Sequence, residues 1–411
     1  MKTEIDIHNY PKRLRNMLRK LEESPISQRN RELILQFKAY GQLEGGLGVP
    51  RIERYMGVLK DWALLLNKDF DRCTKEDIMK AVAFIQDKQD YTAFTKSTYK
   101  TMLKRFFRWV KDSGDEQPEE TRWIKTRIKM TEKKMLSNSE LITEDEIKKA
   151  IAVAANPRDK AFISVLYESG ARIGEIGSLQ ICNVSFDKYG ATLNVEGKTG
   201  SRPIRIISST AYLMMWLENH PFRNNPQAPL WVRVKSKKMI GMGYPGFNVV
   251  LRRTFRQAGI HKRCNPHLFR HSRSTFLADY LTEFQMNQYL GWIQGSRMPS
   301  VYVHMSGKKI DSSILAMNGI TQPKEEKESL IKPKICPKCE TINTPEANFC
   351  TRCAGILDVK AAVQLEEGYM QEKELKVNSE ELMKTLLRDR ELIEMFALKI
   401  KSLGLQDKVA C

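Results

Sequence analysis

Apolar residues recur at helical spacing from Arg29 to Lys111. Pro50 suits a first helical position, and Ile52, Tyr55, Met56, Leu59 and Ala63 follow it on an i, i+3, i+4, i+7, i+11 ladder. Thr74 with Asp77 resembles a capping box, although Asp is not the usual partner, and Ile78, Ala81, Val82 and Ile85 form the stripe behind it. A further helix starts at Thr95, with Tyr99, Met102, Leu103, Phe106 and Val110 facing inward. Residues 27–114 therefore read as a small helical domain. The stretch before it, 1–26, is basic and carries no diagnostic pattern. Ser113–Pro118 is a polar break, and 119–136, with Arg122, Lys125, Arg127, Lys129, Lys133 and Lys134, reads as a basic linker; the boundary is drawn as a linker over 115–136.

A second domain, 137–319, opens with a capping box of Thr143 and Glu146. A helix ends near Ser169–Gly170, where glycine suits the residue after the last turn. Arg172 and Glu175 open the next turn at i, i+3, so the carboxylate can hold the guanidinium. Phe186–Ile207 reads as strands: Ala191, Leu193 and Val195 alternate, then Ile204 and Ile206, across a turn at Gly197–Ser201. Lys198 sits in that turn, with Lys188 in the preceding turn as a weaker candidate. Its Gly-Lys-Thr triplet lacks the frame of a phosphate loop, which argues against ATP binding. Phe247, Val250, Leu251 and Phe255 form one stripe, with Arg252, Arg253 and Arg256 on the other side. His267–Leu281 and Glu283–Leu290 are two more helices, the second stopped by Gly291.

Past a charged linker (320–334) comes Cys336-Pro-Lys-Cys339, then Cys350-Thr-Arg-Cys353. Two such pairs suit a tetrahedral structural zinc site at 335–356, closed by four protein ligands and so not catalytic. With so little core, that unit should need its metal to fold. The tail, 357–411, is amphipathic: Leu382, Leu386, Ile393, Phe396, Ile400 and Leu403 step by four and three once Asp389 fills a gap. It reads as a helix docked on its own domain, with a subunit contact as the alternative.

Charge sharpens this picture. Residues 320–411 hold 15 of the 68 Lys and Arg and 16 of the 49 Asp and Glu, which leaves 53 and 33 to residues 1–319. The positive field thus lies on the two N-terminal domains and fits a polyanion, most simply nucleic acid. Lys96, Lys100, Lys104 and Arg108 fall on one helical face and could track a DNA backbone, as could Arg252, Arg253 and Arg256. No leader or membrane span is apparent, so the expected setting is cytoplasmic and associated with the nucleoid. Cys73, Cys182, Cys264 and Cys411 are scattered and read as free thiols.

His267 and Arg270, three apart on a helix, share a face and offer an imidazole beside a guanidinium, a pairing suited to phosphate. Taken with LYESGARIGEIGSLQ (166–180), VEGKTGSRPIRI (195–206), PHLFRHS (266–272), LGW (290–292) and SVYVHMSG (300–307), the chain resembles the tyrosine recombinase (integrase) family in its archaeal form. The resemblance covers roughly 27–319. It implies a mainly α fold with a small antiparallel sheet: a helical, SAM-like core-binding domain that clamps DNA, then a DNA breaking-rejoining catalytic domain, here followed by a zinc ribbon and a C-terminal helix. It also implies that Arg172, Lys198, His267, Arg270 and Tyr302 are catalytic, with Glu175 in support. Trp292 stands where many members have histidine, and indole can pack and donate but cannot shuttle protons. His271 and His304 read as neighbours of the site.

In that chemistry Arg172, Arg270 and His267 would gather round the nonbridging oxygens of a phosphodiester and stabilise its pentacoordinate transition state. Tyr302 would attack in line to give a 3′-phosphotyrosine, and Lys198 would protonate the leaving 5′ oxygen, without ATP or catalytic metal. The acceptor of the tyrosine proton is left open by the sequence. The resemblance implies a site-specific recombinase or integrase acting on double-stranded DNA as a tetramer on synapsed duplexes. A type IB topoisomerase-like relaxing enzyme and a non-catalytic DNA-binding regulator are the alternatives.

Overall fold

The structure is a computed structural model and describes residues 5–129, 137–197, 199–235, 237–306, 314–315, 317–319 and 329–402. Lys133, Lys134, Lys198, Leu403 and Cys411 lie outside the described residues, as do the side chains of His304 and Ile400. The chain is mainly helical, with one small antiparallel sheet and a second, minimal one.

The first apolar core is built by α1 (Tyr10–Glu22), α2 (Gln28–Leu43), α3 (Val49–Leu66), α4 (Lys75–Asp87) and α5 (Ala93–Val110). Pro50 does lie in the first turn of α3, and Thr74 and Asp77 do form both halves of a capping box on α4. α5 begins earlier than Thr95, because Thr92 accepts the Thr95 amide and caps the helix. Phe37, Trp62, Phe70 and Phe106 are fully buried at the centre, where Phe37 meets Phe106 edge-on at 5.2 Å. The expected linker is partly folded. Pro118 starts a single turn, α6 (Glu119–Arg122), Thr121 is buried, and Ile124 closes the core at 3% exposure. Two apolar residues inside a charged run leave too short a pattern to announce this.

A second core holds α7 (Glu144–Val153), α8 (Pro157–Ser169), α9 (Ile173–Gly177), the strands β1 (Val184–Asp187), β2 (Gly190–Gly197) and β3 (Gly200–Ile206), then α10 (Thr210–Glu218), α11 (Tyr244–Gln257) and α12 (Pro266–Leu277). α13 (Glu283–Leu290) and α14 (Met298–Ser306) close a satellite cluster on α12. The sheet runs β1-β2-β3, all antiparallel, and the pair Gly197↔Gly200 closes the hairpin on a two-residue loop. Glu168, at the end of α8, collects the amides of Ile207, Ser208 and Ser209, so the exit from β3 is pinned to the core.

The segment before α1 is more than a basic arm. Ile7 is buried in the second core, and its carbonyl accepts the Tyr244 amide at 2.7 Å. A Cβ at Gly177 would come within 3.0 Å of Ile7, so that glycine makes room for the strap. Leu21, on α1, is buried in the first core, so residues 5–22 touch both cores.

Beyond the second core, β4 (Lys334–Ile335) pairs with β5 (Ile342–Asn343) in a small cysteine-bearing unit. It docks by Tyr212, which donates to Glu346, and by Ser329, which donates to Glu144, while Ile331 enters the core. α15 (Val359–Leu386) and α16 (Arg390–Ser402) follow. The expected docking of the tail is overturned: Val359, Leu365, Tyr369, Leu382, Phe396 and Leu398 all stand exposed. The helical ladder also breaks at Asp389, whose carboxylate caps α16 by accepting from Glu391 and Leu392. Among the described residues no helix is long and apolar enough to cross a membrane.

Candidate active site

The site is assembled on one helix end. α8 stops at Gly170, whose φ of 56° belongs to the left-handed region, and the chain turns into Arg172, the N-cap of α9. Glu175, three residues on and 3% exposed, accepts the Arg172 amide at 2.9 Å and its Nη1 at 3.0 Å. A second guanidinium completes the junction. Arg202 donates through Nη1 and Nη2 to the same carboxylate at 3.0 and 2.9 Å. Burial pushes the Glu175 pKa up, but the Arg202 hydrogen bond and charge, then Arg172, outweigh it and hold the carboxyl below its usual range. Gly197 lies against this group, since a Cβ there would sit 2.4 Å from Glu175 Oε1.

The arginines also share α13. Its last carbonyls have no partners within the helix, and each of three successive ones meets a different guanidinium. Arg202 Nε donates to Tyr289 O at 2.9 Å, Arg270 Nη2 to Leu290 O at 2.7 Å, and Arg172 to Gly291 O at 3.3 Å. Cations at a helix C-terminus are favoured by its dipole as well. Gly291 adopts φ 64°, and any side chain there would run into Arg202 at 2.5 Å. Thr199, next to Lys198, also donates to Gly291 O at 3.3 Å, which ties the hairpin tip to the same point.

Arg270 is 3% exposed and donates its other nitrogen to Gly170 O. Burial, then the Arg172 charge, lowers its pKa to about 10, so it stays cationic at neutral pH. Its guanidinium lies over Trp292, 5.2 Å from the ring centre. Trp292 in turn stacks on Tyr302 at 5.4 Å and 10°. Tyr302 is 2% exposed, and its hydroxyl lies 2.7 Å from His271 Nδ1. Burial raises the phenol pKa, with Arg270 and the Ser274 hydroxyl opposing, so the phenol is neutral at rest. His267 keeps an exposed edge and meets His271 edge-on at 4.6 Å. Partial desolvation, then Arg270 and Arg172, lower its pKa.

Arg172, Glu175, His267, Arg270, Trp292 and Tyr302 are thus brought together, while Lys198 lies outside the described residues. Sequence reasoning passed over Arg202. The available signal was its alternation with Ile204 and Ile206, which puts a cation on the inward face of β3. The sequence marks His271 only as a neighbour of the site, although its i, i+4 relation to His267 places it on the same face.

The surface cations divide. Lys96 and Lys100 reach Gln86 around a polar cavity of ≈ 270 Å3 that is also lined by Ser97, Thr126 and Arg127, and Lys104 donates to Ile124 O. Arg108, one turn on from Lys104, is half-buried. Arg252 and Arg256 are exposed. Arg253 departs from that pair: it donates at 2.6 Å to Asp159, which is fully buried and also binds Arg158. Removing it would leave a buried charge short of a partner, so its first role is in the core.

The thiols of Cys336, Cys339, Cys350 and Cys353 lie within 4.8 Å of one another, with Sγ pairs at 3.5 and 3.6 Å. Zinc–thiolate bonds of about 2.3 Å in a tetrahedron require edges of roughly 3.8 Å, so the four sulfurs fit one ion.

The phage integrase family profile matches residues 140–309. The chain is 25% identical over 301 residues to tyrosine recombinase XerD of Ralstonia nicotianae, covering 70% of this chain and 94% of that one. It is 24% identical over 289 residues to tyrosine recombinase XerA of Pyrococcus horikoshii, covering 69% and 93%. Among solved structures, the post-cleavage complex of the XerH site-specific recombinase bound to palindromic difH substrate is similar in fold. It has a TM-score of 0.53 at 15% identity, covering 77% of this chain and 98% of that one.

Proposed function

We propose, from the premise that this chain belongs to the tyrosine recombinase family, that it is a site-specific DNA recombinase whose nucleophile is Tyr302. The observation that carries the assignment is the convergence of Arg172 and Arg270 on the C-terminus of α13, with Trp292 stacked between Arg270 and Tyr302. Two fixed cations and the His267 edge would neutralise the nonbridging oxygens of a DNA phosphodiester and stabilise the extra charge as phosphorus becomes pentacoordinate. Tyr302 would attack in line, leaving a 3′-phosphotyrosine and a free 5′ hydroxyl, with Lys198 as general acid. The phosphotyrosine bond keeps the free energy needed for religation, so the step calls for no nucleotide.

Glu175 and Arg202 would act by holding Arg172. Trp292 would contribute packing and one hydrogen bond where other members use histidine. Lys96, Lys100, Lys104, Arg108, Arg252 and Arg256 are the proposed phosphate contacts of a clamp round the duplex, with Arg253 set apart by its ion pair. The domain limits of 27–114 and 137–319 are kept as proposed limits, with Leu21, Ile26 and Ile124 added to the first core and Ile7 and Ile331 to the second. Assembly as a tetramer on two synapsed duplexes follows from the family. Cys336, Cys339, Cys350 and Cys353 would hold one structural zinc, and their spacing fits that ion.

A duplex with a nick beside the cleavage point loses its 5′ fragment and traps the covalent adduct. The full chain should form that adduct, and Tyr302→Phe should bind the same DNA without forming it. An adduct from Tyr302→Phe would show the wrong nucleophile. Relaxation of supercoiled plasmids lacking any required site would move the assignment to a topoisomerase.

A further inference from the structure

The reaction above needs an acceptor for the tyrosine proton, and the packing round Tyr302 narrows the choice. The phenol is sealed between Trp292 and α12, so water has little access to it. Its hydroxyl reaches His271 Nδ1 at 2.7 Å, within proton-transfer range. His267, the histidine that the family resemblance names, meets His271 rather than Tyr302 and presents its edge outward, where a phosphate would lie. We infer that His271 is a further catalytic residue, the general base that takes the Tyr302 proton as the protein–DNA bond forms; this rests on Tyr302 being the nucleophile.

The two groups do not exchange the proton at rest. Desolvation, then His267 and Arg270, lower the His271 pKa to about 4, so the ring is neutral. With its proton on Nε2, Nδ1 offers a lone pair, and the phenol donates to it. The phenol keeps its proton because burial raises its pKa. Transfer must therefore accompany bond making. As Tyr302 Oη bonds to phosphorus, the oxygen loses electron density and its O–H bond weakens. The Oη–H bond breaks toward Nδ1, the P–O5′ bond breaks, and the 5′ oxygen takes a proton from the general acid.

Each bond formed is matched by one broken, and no oxidant or metal enters. The new imidazolium lies near His267 and Arg270 on its own helix. Its charge is offset by the negative charge building on the phosphoryl oxygens. In religation His271 returns the same proton to Tyr302. The hydrogen bond also aims the hydroxyl before DNA arrives, so positioning and proton transfer share one contact.

The test compares the full chain with His271→Ala and His271→Gln on the nicked duplex, each carrying either tyrosine or 3,5-difluorotyrosine at position 302. Fluorination makes the phenol more acidic and less dependent on a base. Glutamine can accept the hydrogen bond but cannot take a proton. Both variants should bind DNA as the parent does and form adduct about 100-fold more slowly or worse. The fluorinated nucleophile should restore at least tenfold of that loss in either variant and change the parent little. An equal loss with both nucleophiles would make His271 a packing residue and overturn the inference. Faster cleavage by His271→Ala would make it a restraining latch and overturn it as well. Failure of the parent to form any adduct would instead sink the assignment of Tyr302.

Discussion

The end of α13 and the two C-terminal helices handle the same difficulty in opposite ways. Each leaves groups that want partners. At α13, three orphan carbonyls meet three guanidiniums, two of which, Arg172 and Arg202, are tied together by the buried Glu175. On α15 and α16, large apolar side chains such as Leu365, Tyr369 and Phe396 remain open. The first region draws its order from contacts between distant parts of the chain: Arg172 and Gly291 are 119 residues apart. The second draws its order from local contacts: its backbone hydrogen bonds, caps at Asp358 and Asp389, and near-neighbour pairs such as Arg390 with Glu394. A regular apolar ladder thus announces a helix but says nothing of what covers it.

The largest effect expected is at the unit that joins these regions. With the proposed zinc held by the four cysteines, a chelator should unfold 335–356 outright, since structural zinc sites contribute on the order of 10–16 kcal/mol. Cobalt substitution would report it by thiolate charge-transfer bands, and adduct formation on the nicked duplex should persist. Loss of cleavage with the rest of the fold intact would show that the unit reaches the chemistry.

Next comes Glu175→Ala, which leaves two guanidiniums uncompensated. It should cost about 3–5 kcal/mol in urea unfolding and reduce adduct formation more than DNA binding. If neither changes, the junction does not order Arg172.

Acid should separate the regions too. Because the His271 and His267 pKa values fall below 6.5 in the folded state, the unfolded chain takes up those protons first. Stability contributed there is whole above pH 6.5 and is lost as pH drops toward about 4, the folded pKa of His271. Glu175, held below the usual carboxylate range, adds a loss at lower pH still. The melting temperature should therefore decline from neutrality to about pH 4, and less so in His271→Gln; an unchanged slope in that variant would contradict the assignment.

The smallest effect is expected from deleting residues 359–411, which should shift the stability of both cores by less than about 0.5 kcal/mol. A larger shift would mean that the exposed faces find cover in solution.

Much of the fold was legible in the residues. The capping boxes at Thr74 and Thr143, the glycine stops at Gly170 and Gly291 and the Gly197–Gly200 hairpin are local signals that each element needs in order to start or end. The paired cysteines are also local. The site was legible through its ordered motifs, which brought Arg172, His267, Arg270, Trp292 and Tyr302 forward. What stayed hidden depends on tertiary contact. Ile5 and Ile7 are too short an apolar alternation in a polar run to announce a strap, and the second core, through Tyr244 and Gly177, gives it meaning. Arg202 looks like any strand cation until Glu175 is placed beside it. Arg253 looks like Arg252 until Asp159 is found buried beneath it.

Hanging three cations on one helix end has a mechanical corollary. A small slide or tilt of α13 would strain its bonds to Arg172, Arg202 and Arg270 together, so the three contacts respond as one set. Anything that nudged that helix, whether an arriving duplex or an adjoining subunit, would act on every arginine at once. A displacement of about an ångström there is on the scale that catalytic geometry feels.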